Sequence, residues 1–355
     1  MIKYLGSKRT LVPVLGAIAS AVEAQTAVDL FSGTTRVAQE FKRRGIDVTA
    51  ADIATYSEVL ARCYIATDAR NVEPQELADA LGELSALPGR RGYFTRTFCE
   101  ESRFLQPRNG ERVDAMRDHL ADRYADSPLF PVLLTALMLA ADRVDSTTGV
   151  QMAYLKQWAP RAHRDLELRA PELLPGAGTA VRGDALELVQ TLPCTDLAYL
   201  DPPYNQHRYF TNYHVWETLV RWDEPDHYGV ACKRVDARHD STKSIFNRKR
   251  EMPDALRSVI TGTCAGVVVV SYNDESWVTP EQLMTWLGEA GHADVRLLAY
   301  DSKRYVGAQI GIHNPAGHKV GEVKRLRNTE YVVVAGDSAR VAAASAAAQH
   351  PLLKV

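Results

Sequence analysis

The apolar run Thr195–Leu200 delivers the tetrapeptide Asp201-Pro-Pro-Tyr204, and no other stretch limits the fold so tightly. Two consecutive prolines fix φ and remove two backbone donors, so a paired strand must end there and leave its sheet as a stiff loop. The Asp201 carboxylate is thereby placed at the carboxyl end of a strand, the edge at which open α/β sheets bind ligands. An aromatic ring, Tyr204, follows three residues on, in reach of a planar substrate.

Further strands of the same kind follow from the pattern of short apolar runs. Ala27–Phe31 leads through the small-residue turn Ser32-Gly33-Thr34-Thr35 into a helix reaching about Arg44. Such a strand–turn–helix aims amide donors and the positive end of a helix at a ligand. Val48–Ala51 ends in Asp52, about 20 residues after the turn, where an acid grips ribose hydroxyls. Only Gly33 of a Gly-x-Gly-x-x-Gly pattern is present, with Thr35 where a second glycine would fall, so the dinucleotide fingerprint fails and a nucleoside without a pyrophosphate fits better. Thr179–Arg182 ends at Gly183-Asp184, and Gly266–Ser271 is a plainly buried strand. Counting Asp294–Tyr300 and Glu330–Val334, seven strands end near residues 31, 51, 182, 200, 271, 300 and 334, the last two reading as an antiparallel pair around a long excursion. Asp52, Asp184 and Asp201 all close strands.

From 64 to 178 the alternation of strand and helix stops. Helical patterns at Pro74–Leu84, Gly110–Tyr124 and Leu129–Val144 take over, and a segment this long cannot be a loop in a compact domain. It reads as a largely helical insertion, carrying Arg90, Arg91 and Arg96 beside Tyr93 and, further on, Arg103 and Arg108, which suit phosphate contacts and base stacking. A second basic stretch runs from Lys233 to Arg250 and culminates in Arg248-Lys249-Arg250; a third lies at 303–327. The net charge of −2 argues against a uniformly basic nucleic-acid coat and leaves room for a local basic face.

The chain of 355 residues, 46% hydrophobic and 24% charged, can bury a sizeable core. It has no membrane-length apolar run and no signal-peptide layout, so a cytoplasmic location is expected. Its five cysteines are scattered without Cys-x-x-Cys spacing, which predicts reduced packing residues and no metal site. His207 and His214 have no serine, cysteine or metal-spacing partner, so polar or packing roles outweigh a catalytic one.

With these residues in hand the chain resembles the DNA adenine amino-methyltransferases of the Dam type. Asp201-Pro-Pro-Tyr204 is similar to that family's catalytic motif, Asp29-Leu-Phe-Ser-Gly33 to its methyl-donor loop, Lys3-Tyr-Leu-Gly-Ser-Lys8 to its amino-terminal element, and Tyr213-His-Val-Trp-Glu217 to a further shared phrase. The resemblance implies a seven-stranded Rossmann-like S-adenosylmethionine-dependent methyltransferase fold in two parts: a catalytic domain of residues 1–63 and 179–355, and an inserted target-recognition domain of residues 64–178. It implies that S-adenosylmethionine lies along Tyr4, Lys8, Asp29, Phe31, Ser32, Gly33 and Thr34, with its ribose on Asp52 and Ile53 and its adenine near Asp184 and Ala185. Asp201 stands between donor and target, Pro202 and Pro203 hold the loop, and Tyr204 stacks on an adenine flipped out of duplex DNA. A cognate restriction endonuclease, a nucleoid association and action as monomer or dimer on DNA are expectations of the same kind. An enzyme acting on the exocyclic amine of cytosine, one acting on RNA or a protein amide, and a donor-binding but inactive regulator remain as alternatives.

Overall fold

The structure is a computed structural model and describes residues 2–6, 8–203, 208–303 and 327–349. The chain divides into two compact units. One comprises Leu5–Ile53, Gly183–His207 and Ser244–Val355; the other comprises Met1–Tyr4, Ala54–Arg182 and Arg208–Lys243.

Nine strands occur among the described residues: β1 (Thr26–Asp29), β2 (Asp47–Asp52), β3 (Gly178–Arg182), β4 (Thr195–Leu200), β5 (His227–Tyr228), β6 (Lys233–Arg234), β7 (Ala265–Asn273), β8 (Asp294–Lys303) and β9 (Arg327–Gly336). Seven of them form one sheet in the order β3-β2-β1-β4-β7-β9-β8, as the seven apolar runs predict. β1 pairs in parallel with β2 and β4, and β4 with β7. β9 enters between β7 and β8 and is antiparallel to both, so the expected antiparallel pair is present and also reaches into the parallel part of the sheet. The central strands are buried because they are β-branched on both faces: Val267, Val268, Val269 and Val270 of β7 stand against Val332, Val333 and Val334 of β9, all essentially without solvent exposure. Helices Val12–Ala21 and Arg36–Arg43 belong to the same unit, as do Met252–Gly262, Pro280–Glu289 and Ser338–Ala348. Pro280 at the first turn and a full capping box, Thr279 with Gln282, start the fourth of these.

The register of β4 on β7 corrects the reading of the cysteines. Thr195 is opposite Ala265, so the residues preceding them, Cys194 and Cys264, stand with Cα atoms 4.6 Å apart and form a disulfide. Their separation of 70 residues hides this pairing from any local spacing rule. Cys63, Cys99 and Cys232 take no part in a disulfide and are buried.

The second unit is mainly helical and is wider than residues 64–178. Its centre is the helix Phe130–Arg143, apolar nearly all round and buried along its length. Beside it run Pro107–Tyr124 and His214–Arg221, tied by Arg117, whose guanidinium donates to the Leu219 carbonyl at 2.9 Å and the Val220 carbonyl at 3.1 Å. Phe94, Phe98 and Phe104 pack edge to face, and the His214 ring joins them. No helix of the described residues is long and apolar enough to cross a membrane.

Candidate active site

The donor loop is shaped by the end of β1. The Ser32 amide donates to the Ala51 carbonyl at 3.0 Å, and the Thr35 amide folds back to the Ser32 carbonyl at 2.6 Å. Gly33 takes φ +49° and Thr35 φ +61°. The left-handed turn that glycine would adopt freely is therefore made here by a fully buried threonine, whose Oγ1 accepts from Gln39 Nε2 at 2.9 Å. The Gly33 amide donates to Asp52 Oδ2 at 2.8 Å, so the acid at the end of β2 holds the loop that follows β1. Ile53 beside it is 54% exposed, an apolar surface at the strand end.

Asp29 is the most constrained acid. It is buried, and burial together with the charges of Asp201 and Asp52 pushes its pKa well above the carboxylate range, against amide hydrogen bonds from Ala38 and Phe31. Its Oδ1 and the nearby Ser32 Oγ are buried with no hydrogen-bond partner. Unpaired buried polar atoms at this density are uncommon and mark a place for a ligand.

Asp201 lies directly past the end of β4, as the prolines require. Because Leu200 is opposite Val270 in a parallel register, the next residue of β7, Ser271, faces it and donates from Oγ to Asp201 Oδ1 at 3.1 Å; Tyr199 Oη and Ser271 Oγ are 2.7 Å apart. Lys8 Nζ stands 3.0 Å from the same Oδ1 and 3.4 Å from Glu330 Oε2. Burial raises the Asp201 pKa, the Lys8 ammonium and the Ser271 hydroxyl oppose the rise, and Glu330 adds to it. Ser271 and Glu330 are absent from the residues singled out by sequence. Glu330 arrives because β9 runs antiparallel: its early residues lie at the edge where the parallel strands finish, Glu330 opposite Asn273. Nothing local in the sequence marks either residue, since the signal is inter-strand register.

Among the remaining candidates, Asp184 caps the short helix Ala185–Leu188, its Oδ1 accepting from the Leu186 amide at 2.9 Å, and Ala185 is buried. Phe31 meets Phe246 edge to face at 5.1 Å, which joins the donor loop to the segment just before Arg248, Lys249 and Arg250; those three are exposed. Thr34 is buried, Pro202 is buried and Pro203 half-buried. Tyr204 and His207 lie outside the described residues, as do most of the basic residues of 303–327. Tyr4 belongs to the helical unit, where its ring stacks on Tyr213 at 4.7 Å and approaches Tyr209 at 5.4 Å. Arg90 is bonded to Asp118 and Arg91 to Glu100, the latter pair at 2.6 Å, so part of their charge is already answered within the protein; Arg96 is exposed. His214 is a packing residue: burial drives its pKa down to about 3, and Nε2 lies 3.0 Å from the Gln151 carbonyl.

A sheet of this order, with a donor loop after its first strand and acids closing β2 and β4, is that of the S-adenosylmethionine-dependent methyltransferases. The chain belongs to the D12 class N6 adenine-specific DNA methyltransferases, whose family model matches residues 4–283. It is 27% identical over 307 residues to the type II methyltransferase M.NlaIII of Neisseria lactamica, covering 82% of this chain and 89% of that one. It is 29% identical to the modification methylase StsI of Streptococcus sanguinis and 27% identical to the type II methyltransferase M.FokI of Planomicrobium okeanokoites, over 84% and 81% of its own length. It spans about half of those two, 48% and 47%. The family's methyl donor, S-adenosylmethionine, fits the residues present. Its ammonium and sulfonium are cations, and Asp29, Asp52 and Asp201 form a group of mutually repelling acids in which Asp29 Oδ1 and Ser32 Oγ await partners.

Proposed function

We propose that the chain transfers a methyl group to the exocyclic N6 amine of an adenine flipped out of duplex DNA at a specific sequence. The observation that carries this reading is the Asp201 carboxylate: half-buried at a strand end, oriented by Ser271, balanced by Lys8 and set among acids suited to a cationic donor. When bound, S-adenosylmethionine supplies an electrophilic methyl group. Asp29 and Ser32 bind its polar end, Asp52 its ribose against Ile53, and Asp184 with Ala185 its adenine. The target nitrogen is conjugated to its ring, and its lone pair is a poor nucleophile. Asp201 accepts one of its hydrogens and the Pro202 carbonyl the other, which favours a pyramidal nitrogen aimed in line at the methyl group. Positioning and charge stabilisation then supply most of the rate. Tyr204 is the residue that stacks on the extruded base, and the two prolines stiffen the loop that carries Asp201. Arg248, Lys249 and Arg250, with Arg96, make phosphate contacts.

The names of M.NlaIII, StsI and M.FokI support a role in marking DNA for a restriction–modification pair, with a cognate endonuclease as the functional partner. The deciding experiment incubates the protein with unmethylated duplex DNA and methyl-labelled S-adenosylmethionine, then identifies the labelled nucleoside. N6-methyladenine is expected. Label on the cytosine amine, or none on DNA, overturns the proposal.

A further inference from the structure

The helical unit contains a cluster of three side chains with no part in the site above: Glu101, His227 and Cys232. Their ligating atoms all lie within 4.8 Å of one another, and Glu101 Oε2 is 3.4 Å from His227 Nε2. Two ligands held at about 2.0–2.1 Å from a tetrahedral zinc ion stand roughly 3.3 Å apart, so the carboxylate and imidazole already have the spacing of one edge of such a site.

The three come from separate places. Glu101 closes the π-helical stretch Arg96–Glu101. His227 is on β5 and Cys232 ends the four-residue connection to β6, in a hairpin that pairs Tyr228 with Lys233 and His227 with Arg234. That connection is bent inward: Gly229 has φ +69°, Cys232 has φ +46°, and the Cys232 amide closes on the Gly229 carbonyl at 3.0 Å. A left-handed cysteine is a strained backbone conformation that the surrounding structure must offset. The result of the bend is that Val230 is 81% exposed while Cys232 is 3% exposed, its sulfur turned toward the carboxylate and the imidazole. Hydrogen bonds fix the hairpin stem, with Tyr93 Oη donating to the Pro225 carbonyl at 2.6 Å and the Val235 amide to the Asp226 carbonyl at 2.9 Å.

We propose that Glu101, His227 and Cys232 bind one divalent ion of the zinc class, with water in the fourth position, and that the ion staples the β5–β6 hairpin to the end of the π-helical stretch. A sulfur, an imidazole and a single carboxylate select zinc over magnesium or calcium, which take oxygen ligands. Binding exchanges the thiol proton for the metal and closes two chain loops at once. The staple is independent of methyl transfer, and its ligand spacing is too irregular for any sequence rule to reveal.

The test uses the full chain, stripped by a chelator and kept under a thiol-free reductant. Titration with cobalt(II) is expected to saturate at one equivalent, with a sulfur-to-cobalt charge-transfer band in the near ultraviolet and the visible bands of a four-coordinate ion. Zinc should bleach both, protect Cys232 from alkylation and raise the unfolding temperature. Cys232→Ser should abolish the charge-transfer band and the zinc-dependent stabilisation, His227→Gln should weaken binding at least tenfold, and Cys99→Ser, at a buried thiol against the Phe94 carbonyl, should leave both signals in place. Absence of the band in the unmodified protein, or its survival in Cys232→Ser, overturns the proposal.

Discussion

Acids are buried in both units, but on opposite terms. In the helical unit Arg234, itself buried, bridges Asp223 at 2.6 Å and Asp236 at 2.7 Å. Burial alone would raise Asp223, yet these bonds bring its pKa below the ordinary value and hold Arg234 more firmly charged. Asp114 there accepts from the amides of Gly92, Phe94 and Thr95. Asp145 is held by Lys3 and Arg161 at 3.0 and 2.7 Å. At the sheet edge, by contrast, Asp29 has an oxygen with no partner and faces the charges of Asp201 and Asp52, with Lys8 bonded to Asp201 rather than to Asp29. Satisfied acids hold a structure together; under-compensated ones define what must bind.

The largest expected effect is at the reacting carboxylate. Asp201→Ala should lower methyl transfer by at least about a hundredfold, the cost of losing one preorganised polar group, while S-adenosylmethionine binding measured by calorimetry changes little. Near-normal turnover would remove Asp201 from the reaction. On the satisfied side, Arg234→Met leaves Asp223 and Asp236 with Arg221 as their remaining cation and should destabilise the protein by about 2 kcal/mol in denaturant unfolding, with donor affinity in the surviving folded protein unchanged.

Asp29→Asn should do the reverse. A carboxyl whose pKa is raised by folding stabilises the protein below its unfolded pKa, and that contribution is lost as pH rises through the folded pKa. A neutral amide removes this loss, so stability at high pH should rise relative to the unsubstituted protein, while donor binding weakens roughly tenfold, about 1.4 kcal/mol. If this substitution leaves donor affinity intact, the contrast between the two units has no functional meaning. The pH profile sharpens it further. Activity needs the Asp201 anion, so its acid limb should sit above the ordinary carboxylate range. Lys8 lowers that pKa, so Lys8→Met should shift the limb to higher pH; a shift downward, or none, would contradict the pairing. The smallest effect is at the surface: replacing Arg248, Lys249 and Arg250 with glutamine should reduce the slope of log affinity for DNA against log salt by about 0.9 for each phosphate that the variant no longer neutralises.

Much of the site could be read from single residues because the chemistry is concentrated at strand ends. An apolar run announces β4 and a β-branched one β7, and two prolines after Asp201 dictate where its carboxylate must stand. What escaped reading depends on pairing across the sheet. Ser271 reaches Asp201, Cys194 reaches Cys264 and Glu330 reaches Lys8 only once registers between distant segments are set. The hairpin β5–β6 has strands of two residues each, too short to show a period, and residues 208–243 join the helical unit through packing that no local pattern predicts.

The antiparallel entry of β9 has a consequence in time as well as in space. The site draws on Lys8, near the start of the sequence, and on Glu330, which reaches the sheet edge only when β9 slots between β7 and β8. During synthesis, β1, β2, β4 and β7 emerge first and present β7 as an open edge. Until β9 has left the ribosome, Lys8 has Asp201 as its acidic neighbour without Glu330, and the nascent chain carries an electrically unfinished centre. The strand that covers the β7 edge is thus the same one that completes the site.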